Sequence, residues 1–353
     1  MPKSKLPKVF LDANIVIQAG KPPGGPTLGR VADLVEADLI SVLTTDLTIR
    51  EVAKKHAEND YEVIKEVGRP HFRKIVEEAV GTKLPDVSKA QLKETFSAAY
   101  TKSTRAMFSK LQAETLSIDD VKPSVVFDAY ADGSGFFGGE GKKDQFPDAF
   151  IFECLKAEAS AKSPVIIVSD DGDFTAPVKG HSHITLVKSL PALFQKLGLQ
   201  VDAPELDEFL QENHDDLLRA VNDELENWGL QVTDVEDVDI EETNVTEVEM
   251  QELISFGSAE EGGSILAVGR MLVKANVSYS HPDWDTAMYD SEDKVLVPFE
   301  SVSGETEVAF EVDFSMSIVV SDEGEPGQIE EFGFKNDKFQ YVELHPHDPN
   351  DYR

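Results

Sequence analysis

The sequence predicts two joined folds: an α/β unit with a parallel sheet over residues 1–200, and a smaller acidic α+β unit with antiparallel strands over residues 201–353. Three observations carry that reading. In the first 200 residues, short apolar runs rich in β-branched side chains alternate with helical patterns, as in a parallel sheet flanked by helices. Beyond residue 264 apolar residues recur at every second position, the mark of half-buried antiparallel strands. Charge divides at the same place: residues 1–200 hold 26 Lys+Arg against 27 Asp+Glu, and residues 201–353 hold 7 against 40. Adaptation to high salt would acidify both halves, so the second half has its own reason for carrying nearly all of the net charge of −34.

The first element is the apolar run Lys8–Ile17, too short for a typical helix and read as a buried strand. Asp12 and Asn14 interrupt it at i and i+2, so in an extended chain they share a face. A carboxylate among Val9, Phe10, Leu11 and Ile15 requires a cation or a hydrogen-bond network; a strand-end Asp capping the next helix is the commoner arrangement. A turn-rich loop at Lys21–Pro26 leads to a helix over Leu28–Ala37 and a second strand over Leu39–Thr45. Asp46 or Thr48 caps the following helix, in which Ile49, Val52 and Ala53 repeat at helical spacing and Glu51 lies close to the strand's C-terminal end.

Residues 69–145 exceed a simple crossover. They hold a helical section over Lys89–Leu116 and a glycine-rich loop over Asp132–Asp144. Phe136, Phe137, Lys142 and Lys143 give that loop the aromatic and cationic groups that suit an unstacked base and a phosphate backbone; a surface loop with solvated lysines is the alternative. Pro147 then opens a buried helix carrying Phe150, Ile151, Cys154 and Leu155, with Asp144 and Asp148 at its start. The strand Pro164–Ser169 runs into Asp170, Asp171, Gly172 and Asp173, and a strand over Ile184–Val187 and a helix over Pro191–Leu197 close the unit.

Ligands of such folds bind beyond the carboxyl ends of the strands. Asp12, Glu51, Asp148, Asp171 and Asp173 all fall at that edge and should converge. Several carboxylates so close require a cation, and an oxygen-only set prefers Mg²⁺ or Mn²⁺. Nothing points to zinc, since the pairs His181/His183 and His345/His347 lack companion ligands.

From residue 8 to about residue 198 the chain resembles the PIN-domain nucleases, on Val9-Phe-Leu-Asp-Ala-Asn-Ile15, Glu51, Phe146-Pro-Asp-Ala-Phe150 and Val168-Ser-Asp-Asp-Gly-Asp-Phe174. The resemblance implies a compact parallel α/β fold whose acids hold Mg²⁺ or Mn²⁺ to hydrolyse phosphodiester bonds, usually in RNA. It assigns the catalytic acids to Asp12, Glu51, Asp148 and one residue of Ser169–Asp173, where Asp171 is the choice and Asp173 the close alternative. Asn14 and Ser169 match polar positions that support the acids; Asp144 is either an extra site acid or a helix cap. The long insertion is closer to larger PIN-like proteins than to small toxin nucleases. The expectation is a metal-dependent endoribonuclease. The alternative is a catalytically silent nucleic-acid-binding or regulatory protein.

In the second half, Pro204–Trp228 reads as one amphipathic helix stopped by Gly229, and Val232–Val248 as an acidic linker or solvated edge. Strands follow around Met271–Tyr279 and Phe310–Ile318, the latter after a turn at Ser303–Glu305. So negative a surface repels nucleic acid. It keeps the chain soluble, binds a basic protein partner, or covers the cleft lysines as a phosphate mimic. A single cysteine, no signal peptide and no membrane-length apolar run predict a soluble cytoplasmic protein, and a homo-oligomer is compatible with the sequence.

Overall fold

The computed structural model describes residues 6–138, 145–201, 204–257, 263–290, 295–321, 325–335 and 340–344. Lys142, Lys143, Asp144 and the pair His345/His347 lie outside the described residues. The chain divides into two compact units between Gln200 and Val201.

The first unit runs β1 (Lys8–Leu11), α1 (Ala13–Gln18), α2 (Pro26–Glu36), β2 (Ser41–Thr45), α3 (Asp46–Ile64), α4 (Pro70–Val80), α5 (Lys89–Lys110) and β3 (Glu114–Leu116). It continues through α6 (Pro123–Ala131), α7 (Phe146–Glu158), β4 (Val165–Val168), α8 (Thr175–Val178), β5 (Ile184–Val187) and α9 (Leu190–Lys196). The five strands pair in parallel in the order β3-β2-β1-β4-β5. Val9, Phe10, Leu11, Val165, Ile167 and Val168 are sealed from solvent because helices cover both sheet faces, which is why these strands read as unbroken apolar runs. From β1 the chain builds β2 and β3 on one side and β4 and β5 on the other, so the sheet's switch point lies between β1 and β4.

Three expectations are corrected in this unit. The strand expected over Lys8–Ile17 stops at Leu11: Asp12 caps α1 by accepting from the Ala13 N–H at 2.8 Å, so Asp12 and Asn14 do not share an extended face. The helix expected over Lys89–Leu116 ends at Lys110, and Glu114–Leu116 instead joins β2 as an edge strand. Phe136 and Phe137, expected to meet a base, are 4% and 7% exposed and pack against Phe152, Phe174 and Phe146. In a loop of small residues, the apolar gain of burying two phenylalanines decides where they go.

The insertion has its own fastening. Arg73 of α4 is buried and donates to the carbonyls of Val67 and Val87, both at 2.8 Å, and to the Asp86 carboxylate. Ser88 and Gln91 form a capping box that starts α5. Cys154 is a buried free thiol, its pKa pushed up to about 11 by burial.

In the second unit the expected single helix is two, Pro204–Glu212 and His214–Trp228, separated at Asn213. Leu206, Phe209, Leu210, Leu217, Val221 and Leu225 form their buried face. It packs on a sheet that includes the long antiparallel strands Asp239–Phe256, Ile265–Pro282, Ser301–Val320 and Pro326–Phe334. Val232–Val248, read as linker or edge, contributes the start of the first of these strands. The turn expected at Ser303–Glu305 is absent: Gly304 pairs with Tyr279 inside a continuous strand. A Cβ there would stand 2.8 Å from the Tyr279 hydroxyl, so this glycine admits a tyrosine and does not reverse the chain. Among the described residues no helix is long and apolar enough to cross a membrane.

Candidate metal centre

At the switch point, β1 and β4 end side by side, with the Asp12 N–H donating to the Val168 carbonyl at 3.0 Å. Asp12 is 8% exposed, held by the Ala13 N–H on Oδ1 and by the Ser169 hydroxyl on Oδ2 at 2.6 Å. Each carboxylate oxygen therefore has one partner and one lone pair to spare. Ser169, fully buried, also accepts from the Asp171 N–H at 3.1 Å and so ties the loop after β4 to Asp12. Asp171 in turn accepts from the Asp173 N–H at 2.9 Å.

Glu51 reaches this edge from α3, whose start is fixed by Thr45 accepting from the Thr48 N–H. Asp148 comes from the first turn of α7, opened by Pro147. The carboxylates sense one another. Burial pushes Asp12 up to about 6, against the pull of Ser169 and Ala13, with Glu51 and Asp171 adding repulsion. Asp148 is pushed up to about 7 by burial first and then by Asp12, Glu51, Asp171 and Asp173. Glu51 is raised by desolvation, which Lys54 partly offsets, although its side chain is exposed along the rim. The structure thus brings together Asp12, Glu51, Asp148, Asp171 and Asp173 within electrostatic reach. Among the described residues no group of three or more His, Cys, Asp or Glu side chains stands close enough together to hold a metal ion as it lies.

Asn14 holds the loop after β4. Its amide nitrogen donates to Asp170, which also accepts from Gln18 at 2.7 Å. The Asn14 Oδ1 is buried without a hydrogen-bond partner, an acceptor still open at the edge of the acidic cluster. Sequence reasoning missed this role of Asp170 and Gln18, and it missed Lys188, whose Nζ lies 3.4 and 3.2 Å from the carbonyls of Asp170 and Asp171. The signal for Lys188 was its place directly after β5, at the same sheet edge as the acids.

The donor set is oxygen throughout, crowded, negative and in part desolvated, with an orphaned amide oxygen beside it. Those properties fit a hard divalent cation. They do not fit zinc, which prefers nitrogen and sulfur ligands.

No curated protein and no solved structure matches the chain. A family model described as the PIN domain matches residues 9–174, from the first strand to the loop that carries Asp171 and Asp173. Proteins with this domain are generally metal-dependent nucleases acting on nucleic acid. Over residues 9–174 the parallel five-stranded unit of this chain is therefore similar to the PIN domain.

Proposed function

We propose that the first unit is an endonuclease that hydrolyses phosphodiester bonds, RNA in preference to DNA, with Asp12, Glu51, Asp148 and Asp171 holding Mg²⁺ or Mn²⁺. The observation that carries this is the convergence of acids from β1, α3, α7 and the loop after β4 at the switch point, two of them held near neutrality by burial and mutual repulsion. Asp171 is preferred over Asp173 because its charge bears on both Asp12 and Asp148 and its N–H is tied to Ser169, which itself holds Asp12.

A bound cation supplies Lewis acidity toward the phosphate and toward water. Asp12 is the fixed anchor, its two oxygens oriented by Ser169 and Ala13. Asp148 and Glu51 add charge from two helices, and their carboxylates orient the attacking water on the cleft side. Asn14 supports the site by tying α1 to Asp170 in the loop after β4. Lys142 and Lys143 remain proposed backbone contacts on sequence grounds. The negative second unit is assigned to keeping a cytoplasmic chain soluble, not to holding substrate.

The test is Mn²⁺-dependent cleavage of mixed single-stranded RNA and DNA, with Asp12→Asn as the control. Cleavage that is lost in Asp12→Asn and in EDTA supports the reading. Binding of nucleic acid without turnover by the purified chain would instead favour a silent binding protein.

A further inference from the structure

The aromatic groups that meet solvent around the start of α7 are not the pair in the glycine-rich loop. They belong to α6 and the first turn of α7. Val126 is 1% exposed and fixes α6 to the unit's core, which turns Phe127 and Tyr130, one helical turn apart, outward. Phe127 is 54% and Tyr130 38% exposed. Both rings lean on Phe146, at centroid distances of 5.3 and 5.0 Å and interplanar angles of 47° and 43°. Beneath them Phe137 backs the group, 5.3 Å from Tyr130 edge-on and 4.9 Å from Phe146. The outer rings are therefore braced by a buried aromatic layer and keep their free faces toward water.

We propose that Phe127, Tyr130 and Phe146 form a stacking platform that takes one unpaired nucleobase of a single strand whose backbone passes the acidic site. The proposal rests on the nuclease reading and adds to it a base subsite.

Position is the first argument. Phe146 is two residues before Asp148 in the same helical turn, so the platform and the site acid project from roughly opposite sides of one helix. Side chains so placed are separated by no more than about 10–12 Å, a span that a short stretch of single strand covers. Chemistry is the second. An exposed phenylalanine on a braced aromatic support offers a flat π face with no hydrogen-bonding group, which suits any base and selects none. Asp128, exposed next to Phe127, repels phosphate, so the rings receive the base and not the backbone. A duplex keeps its bases stacked inside and cannot use such a face, so the platform favours unpaired substrate.

The experiment uses full-length protein carrying Asp12→Asn, which isolates binding from cleavage, with oligouridylate and oligothymidylate 12-mers as probes. A Phe127→Trp reporter should show saturable quenching by either oligomer. Phe127→Ala combined with Tyr130→Ala should weaken binding about 10-fold, within the worth of one stacked base. Phe127→Leu keeps the apolar bulk without the π face and should lose affinity too. In the cleaving protein the same changes should raise KM with little effect on kcat. Wild-type affinity in the double variant, or full affinity in Phe127→Leu, would overturn the proposal. So would fluorescence of the Phe127→Trp reporter that changes with protein concentration alone, which would mean that a second copy covers the patch. Quenching by oligomers in a chain that never cleaves would leave the platform standing and remove the nuclease reading; cleavage indifferent to these rings would do the reverse.

Discussion

At the scale of single residues, the acids at the switch point oppose the fold that gathers them. Asp12 is held at about 6 and Asp148 at about 7, against an ordinary aspartate value of 3.8. Between those values the folded chain binds more protons than the unfolded one, so this contribution is present below about pH 4 and is lost as pH rises through 6 and 7. One pKa unit corresponds to about 1.4 kcal/mol, which gives Asp12 alone a cost of about 2–3 kcal/mol at pH 8. Melting in EDTA should accordingly fall between pH 5 and pH 8 more steeply in the wild type than in Asp12→Asn, and the variant should melt several degrees higher at pH 8. Mn²⁺ should reverse that order, raising the wild type most at high pH and Asp12→Asn least. Equal pH slopes in the two proteins would show that Asp12 is not the strained group. Ser169 acts in the opposite sense, since its hydroxyl donates to Asp12 and lowers its pKa. Ser169→Ala should move the acid limb of the cleavage pH profile upward. An unmoved limb at reduced kcat would assign Ser169 to geometry instead.

At the scale of elements, what could be read depended on whether a segment's period survived its tertiary partners. β1, β2 and β4 were legible because burial on both faces leaves a nearly continuous buried run, and β5, a half-exposed edge strand, because it is a short run rich in β-branched residues. Asp12 was visible and its capping of the next helix was the commoner arrangement, yet the point where the strand stops was not legible, because the apolar residues on both sides of it suit a strand and a short buried helix equally well. The strand Asp239–Phe256 was hidden by its own irregularity: its register shifts at Ile240/Glu242, Val245/Glu247 and Met250/Glu252, and each bulge resets the alternation. Gly304 misled for a different reason, since close approach to Tyr279 and a turn both demand glycine. Among the site residues the acids stood out by type, whereas Phe127 and Tyr130 looked like any apolar residues of a helix until their exposure was known. The insertion offers the clearest element-scale prediction. Arg73 satisfies two backbone carbonyls and Asp86 on either side of the α4–α5 connection. Arg73→Ala should cost about 1–2 kcal/mol, since it removes two bonds to half-buried carbonyls together with the packing of a buried side chain, while Asp86 is exposed and water can replace its partner. Trypsin should then cut faster at Lys83 and Lys89, while the Mn²⁺-induced rise in melting temperature stays at its wild-type size. Unchanged proteolysis would mean that α4 and α5 are held by other contacts.

At the scale of the whole molecule, a nearly neutral first unit is joined to one with 40 acidic and 7 basic residues. Long-range repulsion and direct covering of the cleft both slow a nuclease, but salt separates them. Repulsion between exposed charges is screened over about 8 Å at physiological ionic strength, whereas a substitute phosphate seated among lysines keeps much of its hold when partly desolvated. Residues 1–200 alone should therefore cleave several-fold faster than the full chain at about 20 mM salt, and at nearly the same rate at about 150 mM, if the second unit acts only as a solubilising charge. A difference above about 10-fold that persists at the higher salt would point to contact, and reversing acids on the second unit to lysine would then locate it. The aromatic platform adds a check on the same comparison. Stacking is indifferent to salt compared with phosphate contacts, whose affinity falls steeply with it. The affinity lost on removing Phe127 and Tyr130 should thus be the same factor at both salt concentrations and in both lengths of chain, and a factor that shrinks with salt would mean that those rings act through the backbone charges around them.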